Sequence, residues 1–249
     1  MTPLGRRVLA EGLGTALLVT AVIGSGIAAA RLSPDDTGLQ LLQNSLATGA
    51  ALVALILALQ PVSSAFNPVV TLVERALGAL TTREAGLLVL VQLIGGALGA
   101  VLANVMFDLP AVDVATTSRT GAGLWVAEIV ATAGLVLIIF GSVRSGRSDT
   151  VAYAVGGYIT AAYWFTSSTS FANPAITVGR TFSDTFAGIA PGSAPGYIAA
   201  QLVGGAVGFA LVRLLYPAMS PQVAAQAVVP VVPGPRTSTA AVSADTQES

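Results

Sequence analysis

Two stretches of this chain are too long for single membrane helices and too apolar to lie outside a membrane. Thr37 to Val73 runs 37 positions without a charged residue. As one helix it would reach about 55 Å, against a bilayer core of roughly 30 Å. Thr150 to Gly179 has the same character, and each stretch holds an Asn-Pro pair, Asn67-Pro68 and Asn173-Pro174. Proline breaks a helix interior but suits the first helical position. Each stretch therefore divides into a full span, a short turn and a half-helix launched by the Asn-Pro. Non-helical backbone at membrane depth survives only where it is buried in protein or lines a water-filled cavity. Two such breaks predict a polar path through the protein.

Only 9% of the 249 residues are charged, where a soluble domain carries about 25%. Four more apolar runs are each long enough to cross: Val8–Ala30, broken by Glu11; Ala85–Phe107; Gly121–Val143, carrying Glu128; and Thr185–Val212. The expected fold is an all-α membrane protein with six transmembrane helices and two re-entrant half-helices. Arg6 and Arg7 precede the first run, which reads as a retained span rather than a signal peptide. A net charge of −1 gives no ground for nucleic-acid partners. Cysteine and histidine are absent, which removes disulfides, thiolate nucleophiles, imidazole acid–base work and the usual transition-metal ligands. The carboxylates form no close pair in a pocket motif. No enzyme activity, cofactor or metal is expected.

With a cytoplasmic N-terminus, Arg6, Arg7, Arg75, Arg83, Arg144, Arg147, Arg213 and Arg236 fall inside, and Arg31, Arg119 and Arg180 outside. That bias fits the positive-inside rule and points to the inner (plasma) membrane with both termini cytoplasmic. From about Pro217 the chain is rich in Pro, Val, Ser and Thr without periodicity. A disordered cytoplasmic tail is expected over 217–249, after a channel domain of 1–216.

Three features recur in the same order. Ala10-Glu11 with Thr15 and Gly24-Ser25 matches Ala127-Glu128 with Thr132 and Gly141-Ser142, and Phe66-Asn67-Pro68-Val69 matches Ala172-Asn173-Pro174-Ala175. The run from Gln92 to Gly99 matches that from Gln201 to Gly208. Two repeats follow, at about 5–107 and 120–216. Each holds three spans, an odd number, so the second enters the membrane from the opposite side. The half-helices then meet at midplane from opposite faces, a known transport architecture.

This pattern resembles the aquaporin, or major intrinsic protein, family, which carries two Asn-Pro-Ala boxes. Here they read Asn67-Pro68-Val69 and Asn173-Pro174-Ala175. The glutamates at 11 and 128 and the Gln-x-x-Gly-Gly segments match as well, and the resemblance spans about residues 5 to 216. It implies a passive channel for small uncharged solutes in a lipid bilayer, usually a homotetramer with one pore per subunit.

Asn67 and Asn173 stand where a helix N-cap belongs, its side-chain oxygen accepting from an early helical N–H. Their amide NH2 groups remain to donate into the cavity, beside two half-helix N-termini of roughly half a positive charge each. That centre favours solute oxygens and repels cations. Unpaired, Glu11 or Glu128 would cost about 2.5–3.5 kcal/mol at a span centre. The resemblance gives them a structural part, accepting from the unwound backbone beside each half-helix. Glycines 95, 96, 99, 204, 205 and 208 form small-residue surfaces for close helix crossing.

The resemblance also locates a filter at Thr48, Ala161, Ser170 and Ile176. The family's usual arginine, three residues after the second asparagine, is Ile176 here, and the expected constriction is wide, weakly polar and uncharged. Arg180 lies one turn further out on the same face. It either supplies a cationic ring at the outer mouth or forms an interfacial pair with Asp184. The segment from Asn173 to Pro191 is also similar to a bacterial branch of the family linked to arsenic resistance. That implies passage of glycerol-like polyols, water and neutral metalloid hydroxides such as arsenite. Three alternatives stand beside this: a general glycerol or urea facilitator without a metalloid role, a secondary transporter, and a non-conducting membrane scaffold, which the polar path disfavours. The transporter would need ionisable midplane residues to couple an ion, and only Glu11 and Glu128 offer themselves.

Overall fold

The computed structural model describes residues 2–217 and 219–228; among them are nine α-helices and no strand. The helices are α1 (Pro3–Leu32), α2 (Thr37–Leu59), α3 (Pro68–Ala76), α4 (Thr82–Met106), α5 (Ala122–Arg144), α6 (Val151–Phe165), α7 (Pro174–Gly179), α8 (Ala194–Leu215) and α9 (Pro221–Ala225). Five of them, α1, α2, α4, α5 and α8, are long and apolar enough to cross a membrane. The sixth span, α6, has 15 residues, or about 22 Å of helix.

Both charge-free stretches break where their prolines require. α2 stops before Pro61 and α3 starts at Pro68; α6 stops at Phe165 and α7 starts at Pro174. Arg236 and the tail beyond Val228 lie outside the described residues. The expected span Thr185–Val212 is corrected. Its helix starts only at Ala194 and runs on to Leu215. Gly188 and Pro191-Gly192 interrupt the stretch before it, and Pro195 is tolerated because it falls in the first helical turn. The excluded residues fold as a loop, where the Ala190 amide donates to the Thr117 carbonyl (2.8 Å) and the Ile189 amide to the Arg180 carbonyl (3.3 Å).

The expected tail is corrected in its first part as well. Met219, Ala224, Ala227 and Val228 are buried with the main apolar core. The Ser220 side chain caps α9, with Pro221 at the first helical position, so a helical turn begins where the composition suggested none.

The two repeats pack alike. α1 lies against α4, and α5 against α8. Gly95 and Gly99 face the carbonyls of Gly12 and Ala16; Gly204 faces the carbonyl of Ile129, and Gly208 the side chain of Val136. A side chain at any of these four would meet the opposing helix, so small residues set the helix separation. Outward-facing Leu9, Leu13, Leu90, Leu98, Val126, Val130 and Leu202 are exposed, an apolar girdle suited to lipid. One face carries the start of α1 together with α9: Pro3, Arg6, Arg7 and Ala225 line one pocket there. The end of α7 and the connections 107–121 and 183–193 lie at the other face.

Candidate functional site

α3 and α7 enter from opposite faces, and their first turns meet inside the bundle. Asn67 caps α3, its side-chain oxygen accepting from the Val69 amide (2.9 Å). Asn173 caps α7, accepting from Ala175 (2.9 Å) and Ile176 (3.3 Å). Each asparagine also donates across the centre: Asn67 Nδ2 to the Ala172 carbonyl (2.8 Å) and Asn173 Nδ2 to the Phe66 carbonyl (2.7 Å). Each therefore bonds to the residue just before the other. One N–H of each amide is used this way, and the second is left over.

The backbone before each asparagine is bent. Phe66 and Ala172 both have φ of 47°, a left-handed conformation costing about 1–3 kcal/mol in a non-glycine residue. The two buried glutamates hold these bends. Glu11 Oε1 accepts from Ser63 Oγ (2.6 Å) and the Ala65 amide (2.8 Å); its Oε2 accepts from the Phe66 amide (2.7 Å) and Gln92 Nε2 (2.8 Å). Glu128 repeats the set with Ser168 Oγ (2.6 Å), the Phe171 amide (2.9 Å), the Ala172 amide (2.8 Å) and Gln201 Nε2 (2.7 Å). Gln92 and Gln201 donate further to Thr71 and Thr177 on the half-helices (2.9 and 2.8 Å). Four donors per carboxylate satisfy a buried charge and leave little capacity for a coupling ion.

A cavity runs past this centre, from Arg180 at one end to Val151, Ala227 and Val228 at the other. The lining is mostly aliphatic, with Leu18, Leu52, Leu135, Val155 and Ile159, and also presents the polar side chains of Asn67, Asn173, Thr48 and Ser170. Ser170 Oγ is buried without a protein partner. Ile176 lines the cavity, and so does Val70 at the matching place on α3.

Of the four filter positions, three come together here and one does not. Thr48, Ser170 and Ile176 line the cavity. Ala161 is exposed and is corrected: α6 turns Ile159 and Tyr163 inward instead. Counting back from Asn173 assumes a loop length, and two residues of error rotate a helical position by about 200°. Tyr163 bonds through its hydroxyl to Thr48 Oγ1 (3.2 Å).

The expected uncharged constriction is also corrected, because Arg180 reaches the cavity. Its guanidinium carbon sits 3.4 Å from the centre of the Phe171 ring, and its Nε donates to the Ala187 carbonyl. The proposed pairing with Asp184 does not occur; both Asp184 oxygens accept instead from Thr116. Arg119, which the sequence did not single out, stacks at 5.5 Å from the same ring. It donates to the carbonyls of Gly188 (2.9 Å) and Phe186 (3.3 Å). Tyr197 supports Phe171 edge-on, with ring centres 4.9 Å apart. Burial pulls the Arg119 guanidinium below its ordinary value, with Tyr197 and Glu128 acting the other way. An arginine remains charged at neutral pH. The end of the cavity near Arg180 is thus aromatic and cationic, assembled from a loop, a half-helix and α6.

The family described as Major intrinsic protein matches residues 2–153 and 142–243. A curated relative, aquaglyceroporin AqpS of Rhizobium meliloti (strain 1021), is 51% identical over 183 residues, covering 73% of this chain and 78% of that protein. In fold, the chain is similar to the X-ray structure of the aquaglyceroporin from Plasmodium falciparum, with a TM-score of 0.65. That likeness covers 88% of this chain and 98% of the other at 20% identity.

Proposed function

The chain belongs to the major intrinsic protein family, whose members are membrane channels and not enzymes, and from that premise we propose a passive pore for small uncharged solutes of the glycerol type. The mixed lining of the cavity carries this reading. Glycerol has a carbon edge and a hydroxyl edge; here aliphatic side chains share the lining with Asn67, Asn173, Thr48 and Ser170. The free amide N–H of each asparagine and the unpartnered Ser170 hydroxyl offer a passing solute hydrogen bonds in place of water. The aquaglyceroporin relatives support the same class of solute.

In this reading Asn67-Pro68-Val69 and Asn173-Pro174-Ala175 form the pore centre. The facing half-helix N-termini add positive potential that excludes cations and migrating protons. Tyr163, Phe171 and Arg180 form the outer constriction with Thr48, Ser170 and Ile176, and Arg180 supplies the cation that Ile176 does not. Because an aliphatic residue stands at 176, the filter admits solutes larger than water. Neutral As(OH)3, similar in size to glycerol, belongs among them. Glu11 and Glu128 are structural. The chain works as a homotetramer in the inner (plasma) membrane, its terminal face cytoplasmic, as the arginine bias indicates.

The test is flux into proteoliposomes for water, glycerol, urea and arsenite. Glycerol flux is expected to rise linearly with its gradient, without saturation and without dependence on a proton or sodium gradient. Saturation or ion coupling would favour alternating access instead. Ile176→Arg is expected to cut glycerol and arsenite flux about tenfold while sparing water. Equal glycerol flux in both forms would overturn the wide filter.

A further inference from the structure

The chain does not leave the protein after α8. Tyr216 ends the helix, and the Met219 amide turns back to the Tyr216 carbonyl (3.0 Å). α9 then crosses the terminal face. Pro221 sits against Gly78, the left-handed glycine (φ 84°) just beyond α3, and α9 contacts α5. From there the chain enters the cavity mouth. Ala227 and Val228 line the same cavity as Asn67, Asn173 and Ile176, and Val228 is only 1% exposed. Ser64, in the bend that leads to Asn67, donates its hydroxyl to the Val228 carbonyl (3.3 Å).

These residues line the cavity on this side. The aliphatic residues at its terminal end, Ile56, Ile139 and Val151, belong to one apolar cluster with Ala224, Ala227 and Val228. A solute passing between the asparagines and this face runs past them. The segment's backbone is self-contained. The segment's backbone bonds are local: Ala224 to Ser220 (2.9 Å), Ala227 to Ala224 (3.1 Å) and Val228 to Ala225 (3.4 Å). The apolar side chains of Met219, Ala224, Ala227 and Val228 and the Ser64 bond attach it to the pore. Such a segment can dock and leave without disturbing the six spans or the asparagine bridge.

We infer that Met219–Val228 is a plug, docked in the mouth of the pore on the terminal face, and that conduction requires it to withdraw. This rests on the reading of the chain as a channel. The device is regulatory: whatever holds the segment away from the mouth sets the flux, while the outer constriction sets which solutes pass.

The chain has no cysteine, so an introduced pair reports on one contact. The double variant Ser64→Cys, Val228→Cys, made in the full chain, is expected to form an internal disulfide under mild oxidation, seen by mass spectrometry. Its glycerol flux in liposomes should then fall at least tenfold and return on reduction. Either single substitution should show no dependence on oxidation. Val228→Asp, also in the full chain, brings a carboxylate into an apolar mouth and drives the segment out. Glycerol flux should rise several-fold with the glycerol-to-urea ratio unchanged. A cross-linked form that conducts like the reduced one, no disulfide under oxidation, or Val228→Asp at native flux would each overturn the plug. Protein-free rates from native, reduced double variant and Val228→Asp alike would remove the channel reading, and the plug with it.

Discussion

At the scale of single residues, buried polar groups here are engaged in sets. Glu128 accepts four hydrogen bonds, two from backbone amides in the bend before Asn173. Glu128→Gln keeps the shape but turns one acceptor oxygen into a donor facing donors. Each stranded buried group costs about 1–3 kcal/mol, so stability should fall by about 2–4 kcal/mol. Thermal unfolding in detergent would measure it, and an unchanged midpoint would mean the bend is held by other contacts. Arg180 is a different case, since its guanidinium rests on Phe171 and faces the cavity. Arg180→Ala should leave folding intact, raise glycerol flux and introduce a cation leak. Lysine should restore the charge but not the flat stack. Unchanged selectivity in the alanine form, measured by flux and membrane current, would assign Arg180 to packing alone.

At the scale of elements, the half-helices depend on their asparagines twice over. The side-chain oxygen caps the helix, and the amide nitrogen ties it to the opposite loop. Asn67→Asp separates the two parts. It keeps the capping oxygen but sets a carboxylate against the Ala172 carbonyl. The expected result is an intact α3 by circular dichroism, a stability loss of about 1–3 kcal/mol from the opposed acceptors, and glycerol flux reduced at least tenfold. Native flux in this variant would show that the cross-centre bond is dispensable. Helix crossings make a second demand. Gly95 lies against the Gly12 carbonyl and Gly204 against that of Ile129. Gly204→Leu should part α5 from α8 and abolish recovery of folded protein, whereas Gly123→Ala, where nothing lies within reach, should be neutral. Yield and thermal stability compare the two directly.

For the whole molecule, two repeats place their glutamates, glutamines and asparagines in matching networks around one cavity. Other contacts break the symmetry. In the second half, Arg180 and Arg119 both lie against the Phe171 ring; at the terminal side, Ala227 and Val228 line the cavity. The two ends of the pore therefore differ, one cationic and aromatic, the other aliphatic. The exposed leucines of α1 and α4 offer contact to lipid or to neighbouring subunits. Native mass spectrometry from mild detergent is expected to give a tetramer; a monomer as the sole species would count against four-fold assembly.

The sequence by itself determined the six spans, the two half-helices, the duplication and the meeting of two Asn-Pro starts, because proline geometry and the cost of charge in lipid act locally. It also flagged Glu11 and Glu128 through their repeat. Only the tertiary structure decided which face of α6 turns inward, bringing Tyr163 and not Ala161 to the cavity. Helix rotation is about 100° per residue, so a small uncertainty in loop length reverses that assignment. Arg119 was invisible because its partners, Phe171 and the carbonyls at 186 and 188, lie more than fifty residues away in the chain. The packing of the tail was hidden for the same reason: nothing in Met219–Val228 is periodic, and its apolar residues gain a place only where the bundle leaves an apolar surface.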